Sequence, residues 1–87
     1  MANKVNRINK KYGFDYDEML DRIAWNLRNL RYSSGLSVRD IAKEIGTGSQ
    51  NVSSWEQGYV IPSVKNLYIL SRIYNVSMDD LCMKDLS

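Results

Sequence analysis

Ser49, Gln50, Ser53 and Ser54 set three hydroxyls and one carboxamide at positions i, i+1, i+4 and i+5, which a helix gathers on one face. A hydroxyl donates or accepts, and a carboxamide does both at once, so the set is equipped to recognise polar edges by hydrogen bonding. The stretch around it, GTGSQNVSSWEQG at 46–58, holds three glycines, three serines and only two strongly apolar side chains, Val52 and Trp55. Parts for bond-making chemistry are scarce by comparison. There is no histidine, Cys82 is the single cysteine, and the acids, serines and lysines form no assembled constellation. A zinc cluster, a histidine-based catalytic unit and an internal disulfide are therefore excluded, and neither catalysis, metal nor cofactor is expected.

Eighty-seven residues suit one domain, and a chain this short buries only about 60–65 % of its unfolded surface. Apolar residues make up 44 % and charged residues 25 %, which fits a folded soluble protein rather than a disordered one. No apolar run approaches the roughly 18 residues of a membrane span, and MANKVNRINKKYG lacks the apolar stretch of a secretory signal. The expected location is cytoplasmic, away from any membrane. The net charge of +2 is unevenly spread: Lys4, Arg7, Lys10 and Lys11 precede an acidic cluster of Asp15, Asp17, Glu18 and Asp21. The basic run reads either as a phosphate-binding tail or as a solvated terminus. The organisation expected is a basic N-terminal arm at 1–16, a folded domain at 17–83 and a C-terminal tail at 84–87.

Five helices are predicted. In the first, from Asp17, residues Leu20, Ile23, Ala24, Leu27, Leu30 and Arg31 fall at helical spacing before the stop at SSG, where Gly35 suits a left-handed cap. Ser37 with Asp40 reads as a capping box, followed by Val38, Ile41, Ala42 and Ile45 at i, i+3, i+4 and i+7, and by Gly46 as a stop. After the turn Gly46–Thr47–Gly48, a third helix over 49–57 would face Val52 and Trp55 inward and Ser49, Gln50, Ser53 and Ser54 outward, closing at Gly58. Pro62 marks a break. Ser63 caps a fourth helix whose stripe is Val64, Leu67, Leu70, Ser71 and Tyr74, with Asn75 as a left-handed stop. Ser77 with Asp80 repeats the cap before a short fifth helix, MDDLCM.

Two helices joined by a short glycine-containing turn, the second with an exposed polar face, fit the general description of a helix-turn-helix. The run from Leu27 to Leu81 resembles the Cro/C1-type (XRE-like) helix-turn-helix family over nearly its full length. Ala42, Gly46, Val52, Glu56, Gly58, Pro62, Ser63 and the closing NVSMDDL each stand where that family's pattern expects an equivalent. The resemblance implies an all-α, five-helix, lambda-repressor-like domain and binding to double-stranded DNA through the third helix. Arg31 and Glu56 resemble a charge pair that recurs in the family and fixes the third helix against the first. Physical roles agree with the pattern: a small Ala42 allows close crossing of helices, and Gly46 tolerates a positive φ.

A helix entering the major groove needs short polar side chains where it approaches bases and longer amides where it discriminates them. Gln50 could bond bidentately to adenine N6 and N7, with Ser49, Ser53 and Ser54 less specific and Asn51, between faces, a weaker candidate. Gly48 leaves the helix N-terminus open to a phosphate. Three departures stand out. The third helix has no Lys or Arg, and Val38 stands where the family often has a phosphate-binding Gln; the loop Tyr59–Val60–Ile61 lacks the basic residues relatives often place there. Backbone contacts then fall to Arg39, Lys43, Lys65 and Tyr59, which lowers the expected affinity of one monomer and makes a homodimer more necessary.

Ile69, Ile73, Val76, Met78, Leu81 and Met83 read either as a dimer surface or as completion of the core, and Trp25 and Tyr32, seven apart on the first helix, either as exposed aromatics or as ones covered by Phe14 and Tyr16. The expected function is a transcriptional regulator, a repressor acting as a homodimer on a two-fold operator. The alternative is an antitoxin or adaptor whose main partner is another protein, motivated by the apolar loop at 59–61.

Overall fold

The computed structural model describes residues 11–13 and 15–86. Lys4, Arg7 and Lys10 of the expected arm, and Phe14, lie outside them. Among the described residues there are five helices and no strand: α1 (Tyr16–Ser34), α2 (Val38–Ile45), α3 (Ser49–Glu56), α4 (Val64–Ile73) and α5 (Met78–Met83). No helix among them is long and apolar enough to cross a membrane.

Helix starts follow local hydrogen-bond chemistry. The first N–H groups of a helix lack intrahelical acceptors, and a short polar side chain at the cap supplies one. Asp15, Ser37, Ser63 and Ser77 do so for α1, α2, α4 and α5, accepting from the amides of Glu18, Asp40, Asn66 and Asp80. Ser37 and Asp40 form the reciprocal box, with Ser37 N–H donating to Asp40 Oδ2 at 2.9 Å. The Ser37 main-chain N–H, and after it the Ser37 hydroxyl, hold the Asp40 carboxyl below its usual range.

Helix ends are set by left-handed residues. Gly35, Gly46 and Gly58 have φ of 73°, 87° and 77°, and Asn75 adopts φ 55°. At Gly58 the amide donates to Trp55 O and the Tyr59 amide to Ser54 O, the paired bonds that reverse a chain after a helix. Asn75 and Val76 repeat them on Arg72 O and Ser71 O. At Gly58 it is the positive φ that favours glycine, since a Cβ there would meet the Ala24 methyl at 3.6 Å, an ordinary contact.

The core is shared by all five helices: Ile23 and Leu27 of α1, Ile41 and Ala42 of α2, Val52 and Trp55 of α3, Leu67 and Leu70 of α4, and Leu81 of α5. α1 lies against α3 and α5, while α2 lies against α3 and α4. Removing a large member, as in Leu27→Ala, leaves a cavity worth about 2–5 kcal/mol. Four of the six residues read as dimer surface or core belong to the core: Leu81 is fully buried, and Ile73, Val76 and Met78 pack on it. Met83 is exposed and Ile69 half-buried.

One expectation needs correcting. Val64 is not in the buried stripe of α4; it is 76 % exposed. It is the first residue of the helix, and a helical side chain leans toward the N-terminus, here past the end of the core. Of the two readings of Trp25 and Tyr32, the exposed one fits: they are 41 % and 65 % exposed, and each carries a guanidinium over its ring, Arg28 at 5.5 Å and Arg31 at 4.8 Å. Beyond Met83, Leu86 packs on the core and its amide donates to Asn26 Oδ1 at 3.0 Å.

Candidate nucleic-acid interface

α2, the turn Gly46–Thr47–Gly48 and α3 form two short helices crossing over a glycine-bearing turn. The turn tightens because the amides of Gly46 and Thr47 both donate to Ala42 O at 2.9 Å, which the left-handed Gly46 permits. Ala42 and Val52 are buried where the helices meet, so α3 sits close over α2.

α3 is a poor helix by intrinsic preference, and three buried residues hold it: Val52, Trp55 and Glu56. Val52 and Trp55 anchor it by packing. Glu56 anchors it by charge: Arg31 Nε donates to Oε2 at 2.8 Å and Nη2 to Oε1 at 2.9 Å, with side chains only 11 % and 7 % exposed. The Glu56 carboxylate raises the Arg31 pKa further above its usual value, against the opposing effect of burial. Such a two-pronged pair fixes orientation, although desolvation offsets much of its attraction. Arg31 also donates Nη1 to Leu36 O at 3.1 Å, joining the α1–α2 loop to the same anchor.

Opposite the anchor, the N-terminal turn of α3 is open. Its cap, Gly48, has φ −80° and no side chain, so the first amides of α3 meet no side-chain acceptor. Ser49, Gln50 and Asn51 are exposed beside it. The Gln50 carboxamide lies across Gly48, with its Oε1 3.4 Å from the point a Cβ would occupy. Asn51 turns back instead, donating Nδ2 to Thr47 Oγ1 at 2.8 Å. Ser53 and Ser54, expected outward with the others, are half-buried. The chain turns at Gly58, with Tyr59 N–H donating to Ser54 O at 3.0 Å.

The residues expected at a nucleic-acid backbone are all exposed: Arg39 and Lys43 one turn apart on α2, Gly48 at the cap, Tyr59 after α3 and Lys65 on α4.

Two residues with structural bearing on the site escape the sequence pattern. Arg28 donates Nη1 to Glu56 O at 2.7 Å, closing the C-terminal end of α3 from α1. Its only signal is position, three residues before Arg31 and so on the same side of α1. Asn26 is fully buried and bonds to residues 81, 84 and 86. A polar residue on the border of an apolar stripe is the trace it leaves in the sequence.

Tyr74 lies near the charged anchor. Its hydroxyl is buried without a hydrogen-bond partner among the described residues. Burial, then the Glu56 charge, pushes its pKa well above the usual value, with Arg31 opposing.

An open polar helix held over a second helix by a tight turn defines a helix-turn-helix module. The helix-turn-helix family model matches residues 27–81, and the chain belongs to that family, in its Cro/C1-type branch. Over 59 residues it is 36 % identical to the HTH-type transcriptional regulator ImmR of Bacillus subtilis, a match covering 68 % of this chain and 46 % of that one. The chain thus aligns with less than half of ImmR. It is also 27 % identical over 59 residues to an uncharacterized HTH-type transcriptional regulator of Archaeoglobus fulgidus, covering 68 % and 84 % of the two chains. No solved structure matches.

Proposed function

We propose that the protein is a sequence-specific regulator of transcription, a cytoplasmic repressor that binds a two-fold operator in double-stranded DNA as a homodimer. The observation that carries this reading is the presentation of α3: anchored by Val52, Trp55 and Glu56, it holds Gln50 and Ser49 exposed beside an uncapped helix start. With α3 in the major groove, Gln50 pairs with an adenine edge through both ends of its carboxamide. Ser49 and the free Oδ1 of Asn51 add contacts of lower specificity, and Ser53 and Ser54 reach only bases that approach the helix closely.

Arg39, Lys43 and Lys65 take phosphates by charge, Tyr59 by its hydroxyl, and the Gly48 end of α3 by its amides and positive dipole. Since α3 has no cation, one copy binds weakly, and two copies on one duplex supply the affinity. Repression follows from occupancy. The mechanism uses no bond-making step, metal or cofactor.

Selection of duplexes from a random pool, followed by titration at several salt concentrations, tests the proposal. A recovered palindrome with half-sites about 10 base pairs apart is expected, with log K falling by about 0.9 per phosphate contact for each log unit of salt. Absence of any selected sequence at low salt would refute it.

A second reading, an antitoxin or adaptor that binds mainly another protein, is favoured by Tyr59, which is 71 % exposed beside α3, and by its exposed neighbour Val60. Gln50→Ala separates the two: the first reading expects loss of operator binding, the second retention of the protein complex with little change in biological activity.

A further inference from the structure

We infer that Arg28, braced on Trp25, is a positioning residue that sets the angle at which α3 is presented, an inference that rests on the DNA-binding reading above. Arg28 and Arg31 stand three residues apart on α1, and both reach Glu56, the last residue of α3. Arg31 holds the carboxylate, and Arg28 holds the main-chain carbonyl at 2.7 Å. Val52 and Trp55 pin α3 to the core by apolar packing, which is not directional, and the Arg31 pair ends on a side chain. The second bond, to the main chain of Glu56, adds a directional tie at the helix end itself.

The electrostatics agree. The C-terminal end of a helix carries partial negative charge, and α3 has no basic residue in its last turn to meet it. Arg28 supplies the cation from another helix.

This role also accounts for Trp25, a large aromatic side chain left 41 % exposed in the middle of α1. Its ring is the shelf for the Arg28 guanidinium, 5.5 Å from the centroid. A planar cation resting on an aromatic face loses less freedom when it bonds. Among the described residues the N-terminal turn of α3 has no hydrogen bond to α1, so the direction of Gln50 depends on the packing of Val52 and Trp55 and on the grip at Glu56. A rock of about 10° there moves Gln50, six residues and roughly 9 Å away, by about 1.6 Å. That exceeds the few tenths of an ångström a hydrogen bond tolerates.

The test uses the whole chain with Arg28→Gln, Arg28→Lys and Trp25→Leu, each checked for a retained melting transition. Affinity for the selected duplex is compared with affinity for a scrambled one over a range of salt. Amide hydrogen exchange is followed at Gln57, Gly58 and Tyr59. Arg28→Gln and Trp25→Leu are expected to lower the specific-over-scrambled ratio by about tenfold, within the range that separates specific from non-specific binding. The salt slope stays unchanged, and exchange quickens at those three amides but not in α2. Arg28→Lys, which keeps a cationic donor, restores most of the ratio. An unchanged ratio overturns the inference, and so does a slope reduced by about 0.9, which would make Arg28 a phosphate ligand. If the unaltered protein selects no sequence, the DNA reading itself fails and takes the presentation role with it. Exchange then still reports on the grip, and unchanged exchange in Arg28→Gln overturns that as well.

Discussion

Asn26 of α1 grips Leu81 of α5: its Nδ2 donates to the Leu81 carbonyl at 2.9 Å across 55 residues of sequence. The same nitrogen donates to Lys84 O at 2.7 Å, and Oδ1 accepts from Leu86 N–H at 3.0 Å. One carboxamide thus satisfies the carbonyl end of the last helix and the chain that leaves it.

Replacing Asn26 with Leu keeps the volume and removes all three bonds, leaving main-chain groups buried without partners. The expected loss is about 2–4 kcal/mol, or a fall in Tm of more than roughly 10 °C for a domain of this size. Thermal denaturation followed by circular dichroism measures it. A Tm within a degree or two of the parent would show that water replaces the carboxamide without cost.

Removing one partner of the Arg31–Glu56 pair leaves a buried charge uncompensated. Arg31→Met is therefore expected to cost about 3–5 kcal/mol, whereas Arg31→Met with Glu56→Met recovers a large part of that loss. Urea titration of both variants decides the point. A double variant that is less stable by the sum of the two single losses contradicts this account.

Gly48 has an ordinary φ, so its advantage over a capping residue is not conformational. Gly48→Asp would accept from the open amides of α3 and stabilise the fold by up to about 1 kcal/mol. The same carboxylate repels a phosphate, so affinity for DNA falls while Tm holds or rises. Parallel melting and binding curves test this, and a variant that gains affinity would remove the anion role from that helix end.

Tyr74 links stability to alkaline pH. Its folded pKa is raised above its unfolded value, so its contribution is full below about pH 10 and is lost as pH rises toward the folded value. Above pH 10 the unfolded chain ionises this tyrosine and the folded one resists. The loss approaches at most about 1.4 kcal/mol per pH unit for the one group. Tyr74→Phe removes that slope and also the unpartnered hydroxyl, so the variant should equal or exceed the parent at neutral pH. Denaturant midpoints from pH 7 to 11 provide the comparison; parallel curves for the two proteins would rule out the linkage.

What was legible in the sequence was local. Ser37 with Asp40, Gly46 and Asn75 fix helix ends through bonds to residues a few places away, so their types announce their roles. Val52 and Trp55 were legible because a short helix with two apolar side chains has only one way to face a core. Val64 misled because periodicity assigns a face but not whether the core extends that far along the axis. Asn26 and Arg28 bind main-chain carbonyls, which every residue carries, so nothing in the sequence marks their partners. Ser53 and Ser54 flank the buried Val52 and Trp55, and a period of about 3.6 does not say how far the buried side of a short helix extends around it.

The grip of Asn26 on Leu81, Lys84 and Leu86 has a consequence for synthesis on the ribosome. α3 is complete at Glu56, yet the clasp between the first and last helices needs thirty more residues, from 57 to 86. At ordinary elongation rates that is about two to six seconds. Through that interval α3 is already synthesised while the partners of the Asn26 carboxamide are not, so the clasp forms after α3 is made.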